Sequence, residues 1–182
     1  GMKLFRTIYY IPAVVPAVAS CVLFKNILAT KGLLNQGLAL LGIQGPRWLL
    51  DKESVLGGFV VLALWTVGST MVLMLSAINS VDESLYEAAH LDGATRFQMF
   101  SKITLPQISP IIFFNLITGI IGSLQTFTQV YLLTDGGPDY ASSMIVPYLY
   151  KNAFSYYRMG YASSMAWILF AIVLIFSLLG MK

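Results

Sequence analysis

Four stretches of the chain run without a charged side chain: residues 7–24, 54–81, 103–134 and 159–181. Each is long enough to cross a hydrocarbon core of about 30 Å as a helix. Apolar and polar positions do not alternate within them, and residues 55–64 and 166–179 are nearly unbroken apolar runs. That pattern excludes the in–out repeat of barrel strands. In lipid every backbone N–H and C=O has to be paired within its own segment, so the pattern predicts helices. Their expected bounds are 8–28, 55–78, 107–133 and 161–181. The predicted fold is therefore all-α: a polytopic helical membrane protein with four transmembrane helices.

Composition sharpens this picture. The 182 residues are 57% hydrophobic and 10% charged, against about 25% charged in soluble domains. So few charges cannot cover a water-facing surface. The net charge of +3 is dispersed, and no basic cluster points to nucleic acid. A single cysteine, Cys21, excludes an internal disulfide and a multi-cysteine metal site. It lies in an apolar stretch, where an inert buried thiol is expected.

An even number of spans puts both termini on one side. Charge does not orient them: Lys3, Arg6, Arg96, Lys102 and Lys182 fall on one side, and Lys25, Lys31, Arg47, Lys52, Lys151 and Arg158 on the other. That is no positive-inside bias. The N-terminus does not read as a signal peptide, because Pro12 and Pro16 interrupt its apolar stretch and no cleavage pattern follows.

The connections differ in character. The first, residues 26–54, is Gly-rich and polar, with a turn at Gly45-Pro46 and a solvated charge run at Asp51-Lys52-Glu53. Residues 38–41 and 48–50 suit a membrane surface. The third opens with the turn Thr134-Asp135-Gly136-Gly137-Pro138 and continues with Tyr140, Tyr148, Tyr150, Phe154, Tyr156, Tyr157 and Tyr161. Such rings suit the headgroup layer or a protein partner.

The middle connection, residues 79–106, is the most specific. Ser84 and Glu87 have capping-box spacing, and Asp92-Gly93 is a stop signal with Gly as a left-handed C-cap. A second short helix is expected to carry Phe97, Phe100 and Ile103 on one face, with Pro106 ending it or starting the next span. This is a helix–turn–helix between two spans. Ala88 and Ala89 are small enough for another surface to approach closely. By physics alone an amphipathic turn lying on the membrane fits equally well.

The residues themselves carry a resemblance. Glu87-Ala88-Ala89, Asp92-Gly93-Ala94 and Ile103-Thr104-Leu105-Pro106 resemble the EAA motif of ABC importer permeases over its full spacing. The segment Phe5-Arg6-Thr7-Ile8-Tyr9-Tyr10-Ile11-Pro12, the turn at residues 134–138, and Ala153-Phe154 with Met159-Gly160-Tyr161-Ala162-Ser163 resemble the sugar-transporter branch. The chain thus resembles a type I permease core of the maltose and glycerol-phosphate kind, a single partial permease domain over residues 1–182. Family members have at least one further helix upstream and a short tail, so a piece of a permease is expected.

The resemblance implies a multi-pass protein of the bacterial cytoplasmic (inner) membrane, in contact with lipid. It implies a heterodimer with a second permease subunit, two cytoplasmic ATPase subunits and an external solute-binding protein. Ser84, Glu87, Ala88, Ala89, Asp92 and Gly93 would form the coupling element that docks on an ATPase. No cofactor is expected on this chain: the phosphate-binding glycine loop is absent from its sequence, and ATP and Mg would be used by the partner ATPase.

A solute path needs polar groups on the spans, where they are costly. The third span carries two stripes, one with Thr118, Gly122, Gln125 and Gln129, the other with Asn115, Gly119, Ser123 and Thr126. The resemblance places Gly119, Ser123 and Thr126 against the solute. Packing between helices is the competing role of such residues. Trp65 and Thr66 on the second span are further candidates, Trp65 for stacking on a sugar ring or for packing. Ala13 and Ala17 stand where related transporters can place aromatic or hydroxyl groups. His90 suits a solvent or interface position. Two other readings stay open: a permease of this kind for an amino acid, phosphate or osmolyte, and a channel or carrier without ATPase partners. The second would usually place ionisable residues mid-span; these spans have none, which also argues against an intramembrane enzyme.

Overall fold

The computed structural model describes residues 2–180, with side chains from Leu4 onward. The predicted end of the last span, Met181, and the terminal charge of Lys182 lie outside the described residues. Among these the chain is helical, with no strand. Eleven α-helices follow one another: α1 Met2–Val14, α2 Ala17–Ile27, α3 Leu33–Leu40, α4 Val55–Trp65, α5 Gly68–Asn79, α6 Glu83–Leu91, α7 Arg96–Met99, α8 Leu105–Leu124, α9 Thr128–Leu133, α10 Ile145–Tyr150 and α11 Met159–Gly180.

Two helices are continuous and apolar enough to cross a membrane: Arg96–Leu124 and Met159–Gly180. Only 11% of the apolar window of each is buried within the chain. Helices this apolar and this exposed need lipid or other apolar helices around them. The first two expected spans are bent pairs. α1 and α2 meet at 100°, and α4 and α5 at 49°.

This corrects the first predicted helix, residues 8–28. Pro16 has no N–H to continue α1, and its extended backbone (φ −55°, ψ 139°) turns the chain before α2 begins. The third predicted span, residues 107–133, is also interrupted. α8 ends at Leu124 and α9 begins only at Thr128. At its other end this helix is longer than expected. α7 runs through a π turn, Phe100–Thr104, directly into α8. There the Leu105 N–H reaches back to the Phe100 carbonyl. Widening a turn in this way accommodates the ring of Pro106 without ending the helix. A second π turn, Lys151–Ser155, follows α10.

α1 lies across α5, α5 packs on α8, and α8 packs on α11. Gly68 makes the first of these crossings possible: a Cβ there would collide with the Tyr9 backbone. α2 packs on α9 and α4. Their junction is the buried apolar cluster of Cys21, Phe24, Leu28, Leu62 and Leu133. The first and third connections share one end of the molecule, where Lys52 and Asp139 pair at 2.9 Å and the Lys25 ammonium donates to the Leu132 carbonyl at 3.3 Å. The first connection is ordered rather than loose. Asn35 donates to the carbonyls of Thr30 and Pro46 and accepts from Trp48 Nε1 at 2.8 Å.

Candidate functional site

The connection between α5 and α8 is a helix–turn–helix with both helices capped. Asp82, not Ser84, caps α6: its carboxylate accepts the Ser84 N–H at 2.9 Å. That hydrogen bond holds the Asp82 carboxyl below the usual carboxylate range. The expected Ser84–Glu87 capping box is therefore not formed. Ser84 already lies inside the first turn, one residue past the start of the helix. The capping box sits on α7 instead. Thr95 Oγ1 accepts from the Gln98 N–H at 3.4 Å, and Gln98 Oε1 accepts from the Thr95 N–H at 2.8 Å.

The end of α6 follows the expected stop. Gly93 has φ +74°, its N–H reaches the His90 carbonyl at 3.1 Å, and the Ala94 N–H reaches the Ala89 carbonyl at 2.9 Å. These paired bonds close the Schellman motif at a left-handed glycine. The Ala88 carbonyl accepts the Asp92 N–H at 3.0 Å. Ser84, Glu87, Ala88, Asp92 and Gly93 are exposed and Ala89 is half-buried. Glu87 makes no hydrogen bond or ion pair among the described residues. Leu91 is 90% exposed and Phe97 76% exposed, while Met99 and Thr104 are buried. The buried side of α7 and the π turn after it is thus Met99 and Thr104, and Phe97 and Phe100 face outward. One tie fixes α6 to the base of α8: Tyr86 Oη and Thr104 Oγ1 lie 2.7 Å apart. No local pattern reveals that pair.

A second site lies where the helix breaks converge. A cavity of about 460 Å³ is lined by Ala13, Val15 and Ala17 at the first break, Thr66 at the second and Thr126 at the third. Ser20, Cys21 and Gln129 also line it. Irregular backbone at membrane depth is tolerated where it lines a cavity. The Ser20 hydroxyl is buried with no hydrogen-bond partner among the described residues. An unpaired buried hydroxyl is costly. The sequence alone does not single out Ser20, which lies among apolar neighbours with no spacing to mark it.

Of the expected path residues, the structure brings Thr66 and Thr126 to this cavity. Gly119 and Gly122 open onto empty space, and Ser123 and Gln125 are exposed. Asn115 is half-buried and donates to the Ile111 carbonyl at 2.9 Å. The hydroxyls of Thr66, Ser123 and Thr126 likewise donate to carbonyls three or four residues earlier. Trp65 packs edge-on against Phe24, ring centroids 5.6 Å apart. No group of three or more His, Cys, Asp or Glu side chains among the described residues is arranged to hold a metal.

Residues 2–181 match the family described as binding-protein-dependent transport system inner membrane component. The chain belongs to this family. It is 38% identical over 186 residues to the probable ABC transporter permease protein YesP of Bacillus subtilis (strain 168), covering 100% of this chain and 60% of that protein. It is 34% identical to the lactose transport system permease protein LacF of Rhizobium radiobacter, covering 97% of this chain and 61% of that one. The fold matches a chain of a bacterial ABC transporter involved in the import of the acidic polysaccharide alginate, with TM-score 0.85 and 28% identity. That match covers 98% of this chain and 65% of the other. The chain spans about 60% of the length of the curated relatives it matches.

Proposed function

We propose that this chain is the transmembrane core of an ATP-driven importer of a carbohydrate or related polar solute. The observation that carries the reading is the helix–turn–helix between α5 and α8. It is capped at both ends, tied to α8 through Tyr86 and Thr104, and turned outward with Glu87, Leu91 and Phe97 exposed. Such a knob transmits motion because it is rigid and attached to a span. An ATPase pressing on α6 moves α8 through the continuous helix Arg96–Leu124. α8 leads to the break beside Thr126, at the cavity. In this reading Ser84, Glu87, Ala88, Ala89, Asp92 and Gly93 dock on an ATPase subunit. The cavity with Ser20, Thr66 and Thr126, continued by the open face of Gly119, Ser123 and Asn115 toward a second permease subunit, forms the solute path. Gln125 and Trp65 stand at its edge. The lactose and alginate transporters among its relatives support the carbohydrate class. Partner ATPases supply ATP and Mg chemistry, and an external binding protein delivers the solute.

The test uses the full-length permease with its partner permease, ATPase and binding protein in vesicles. The ATPase should copurify, and sugar uptake should require ATP. Glu87→Lys reverses an exposed, unpaired charge and should lower solute-stimulated hydrolysis and uptake together, by about tenfold if Glu87 meets a basic group of the ATPase across a desolvated contact. Normal values of both would remove this loop from the coupling role.

A further inference from the structure

The third connection contains a cleft that the transport path does not use. It encloses about 500 Å³ between the turn at residues 134–138 and the π turn after α10. Four non-glycine residues in the described chain have left-handed backbone, and all lie at or beside it: Asp135 (φ 51°), Asp139 (φ 45°), Tyr140 (φ 59°) and Tyr157 (φ 54°). The first three line the cleft, and Tyr157 stands between two lining residues, Tyr156 and Arg158. Aspartate visits this region with some ease, but tyrosine does not.

Strain of this kind persists only where the surroundings enforce it, and it gathers at functional sites. Here the enforcement is visible. Lys151 pairs with the Asp135 carboxylate at 2.8 Å and donates to its backbone carbonyl at 2.7 Å. Lys52, reaching across from the first connection, pairs with Asp139 at 2.9 Å. Beneath the turn the buried Ser142 hydroxyl bonds to the Gly137 carbonyl and lies 2.7 Å from Thr134 Oγ1. Glycine takes this region at Gly136, whereas Tyr140 and Tyr157 hold it with large side chains in place.

What they present is specific in chemistry. The two lysine–aspartate pairs cancel, which leaves Arg158 as the one uncompensated charge among the charged residues of the cleft. Tyr140, Tyr148 and Tyr156 offer exposed rings with hydroxyl edges. Arg158 adds a fork of donors, and no ion pair engages it among the described residues. Aromatic faces match the C–H faces of a pyranose, and adjacent donors and acceptors match vicinal hydroxyls. The volume lies in the range of clefts that enclose small ligands. We propose that this cleft is a saccharide-binding subsite at the outer mouth, which takes a neutral sugar unit before it enters the spans. The inference rests on the carbohydrate reading above, and on the proposed docking of the α6–α7 loop on a cytoplasmic ATPase, which puts the third connection on the outer side.

Ser143 lines the cleft and is exposed. The experiment follows labelling of Ser143→Cys, in a Cys21→Ala background, by an impermeant maleimide. The full-length permease is used in its assembled complex, without binding protein. Lactose, maltose and arabinotriose are the probes, and Gln44→Cys, exposed in the first connection, is the control. At least one probe should slow labelling of the Ser143→Cys variant, by about tenfold at ten times its Kd, and leave the Gln44→Cys control unchanged. Tyr140→Ala and Arg158→Gln should each abolish that protection. Protection by none of the three, or equal slowing in both variants, overturns the proposal. So does protection only by an anionic sugar such as trigalacturonate, or only by binding protein without sugar. ATP-driven uptake of the same probes by the complex with its binding protein is measured separately. Uptake without protection rejects the subsite and leaves the importer reading standing. Uptake of none rejects the carbohydrate reading itself.

Discussion

Gly93 has φ +74° and open space where a Cβ would stand. Its requirement is therefore conformational rather than one of room within this chain. A non-glycine residue there costs roughly 1–2 kcal/mol, least for asparagine. Gly93→Val should re-aim α6 and depress uptake and stimulated ATP hydrolysis together, while Gly93→Asn keeps most of both. Equal impairment of the two variants would mean that a partner surface needs the missing side chain, not the backbone angle. The Asp-Gly stop is legible in sequence because only the backbone of two residues is involved. The start of the same helix is less so. Ser84 and Glu87 have the right spacing for a capping box, but Asp82 stands two residues earlier with a carboxylate that reaches the Ser84 N–H first. The Tyr86–Thr104 contact joins residues 18 positions apart, and Ser20 is marked only by the cavity around it. Both depend on tertiary packing, which no local pattern encodes.

At the scale of elements, glycines of opposite kind offer a test that separates folding from the proposed solute path. Gly68 lies in backbone contact with Tyr9 where α1 crosses α5, whereas Gly119 meets nothing within 4 Å. Gly68→Leu should therefore prevent the crossing and cost expression or assembly, measured as recovery of folded complex by size-exclusion chromatography. Gly119→Phe and Ser123→Leu should leave that recovery intact and raise the KM for uptake or abolish it. Ile120→Phe, off that face, should be milder. Equal effects on transport at both faces would make the polar stripe a packing surface. The charge-free stretches reveal the spans because exclusion of charge follows from the bilayer itself. They do not reveal the breaks, since apolar residues continue through them. Pro16 hints at the first break. The second falls at Thr66, where the hydroxyl bonds back to the Ala63 carbonyl, just before the Gly68-Ser69 pair. The third, between Leu124 and Thr128, carries no proline or glycine at all. Yet all three breaks reach one cavity, so the least legible feature of each helix is the one they share.

For the whole molecule, the sidedness of the connections is the decisive property. Positive charges do not set it, being nearly balanced between the two sides. Contacts do constrain it. Lys52 of the first connection pairs with Asp139 of the third, and Lys25 at the end of α2 donates to Leu132 at the end of α9. Two connections that touch share a face, as they must if each of the four expected spans crosses once despite its bend. The α6–α7 knob hangs from the other ends of α5 and α8. With the knob on the cytoplasmic side, as the proposed docking on an ATPase requires, the first and third connections are external, and accessibility from the two sides of the membrane follows. Ser84 is exposed on α6, and Ser143 is exposed in the third connection. The neighbouring Ser142 is only 1% exposed and hydrogen-bonded, so a cysteine there would report burial rather than sidedness. In a Cys21→Ala background, Ser143→Cys should react with an impermeant maleimide added to intact cells. Ser84→Cys should react only after the membrane is opened or in inside-out vesicles. The control is Gln44→Cys in the first connection, exposed in this structure, which should follow Ser143→Cys. Reaction of the Ser84→Cys and Ser143→Cys variants from the same side would mean that the interrupted span between them, α8 and α9, returns to its own side instead of crossing. The 100° corner between α1 and α2 cannot produce that result by itself, because it precedes both labelled sites and the spans between them. The fault would lie in α8–α9, the helix and its broken extension that join the knob to the third connection, and the proposed route from knob to outer cleft would have to be redrawn.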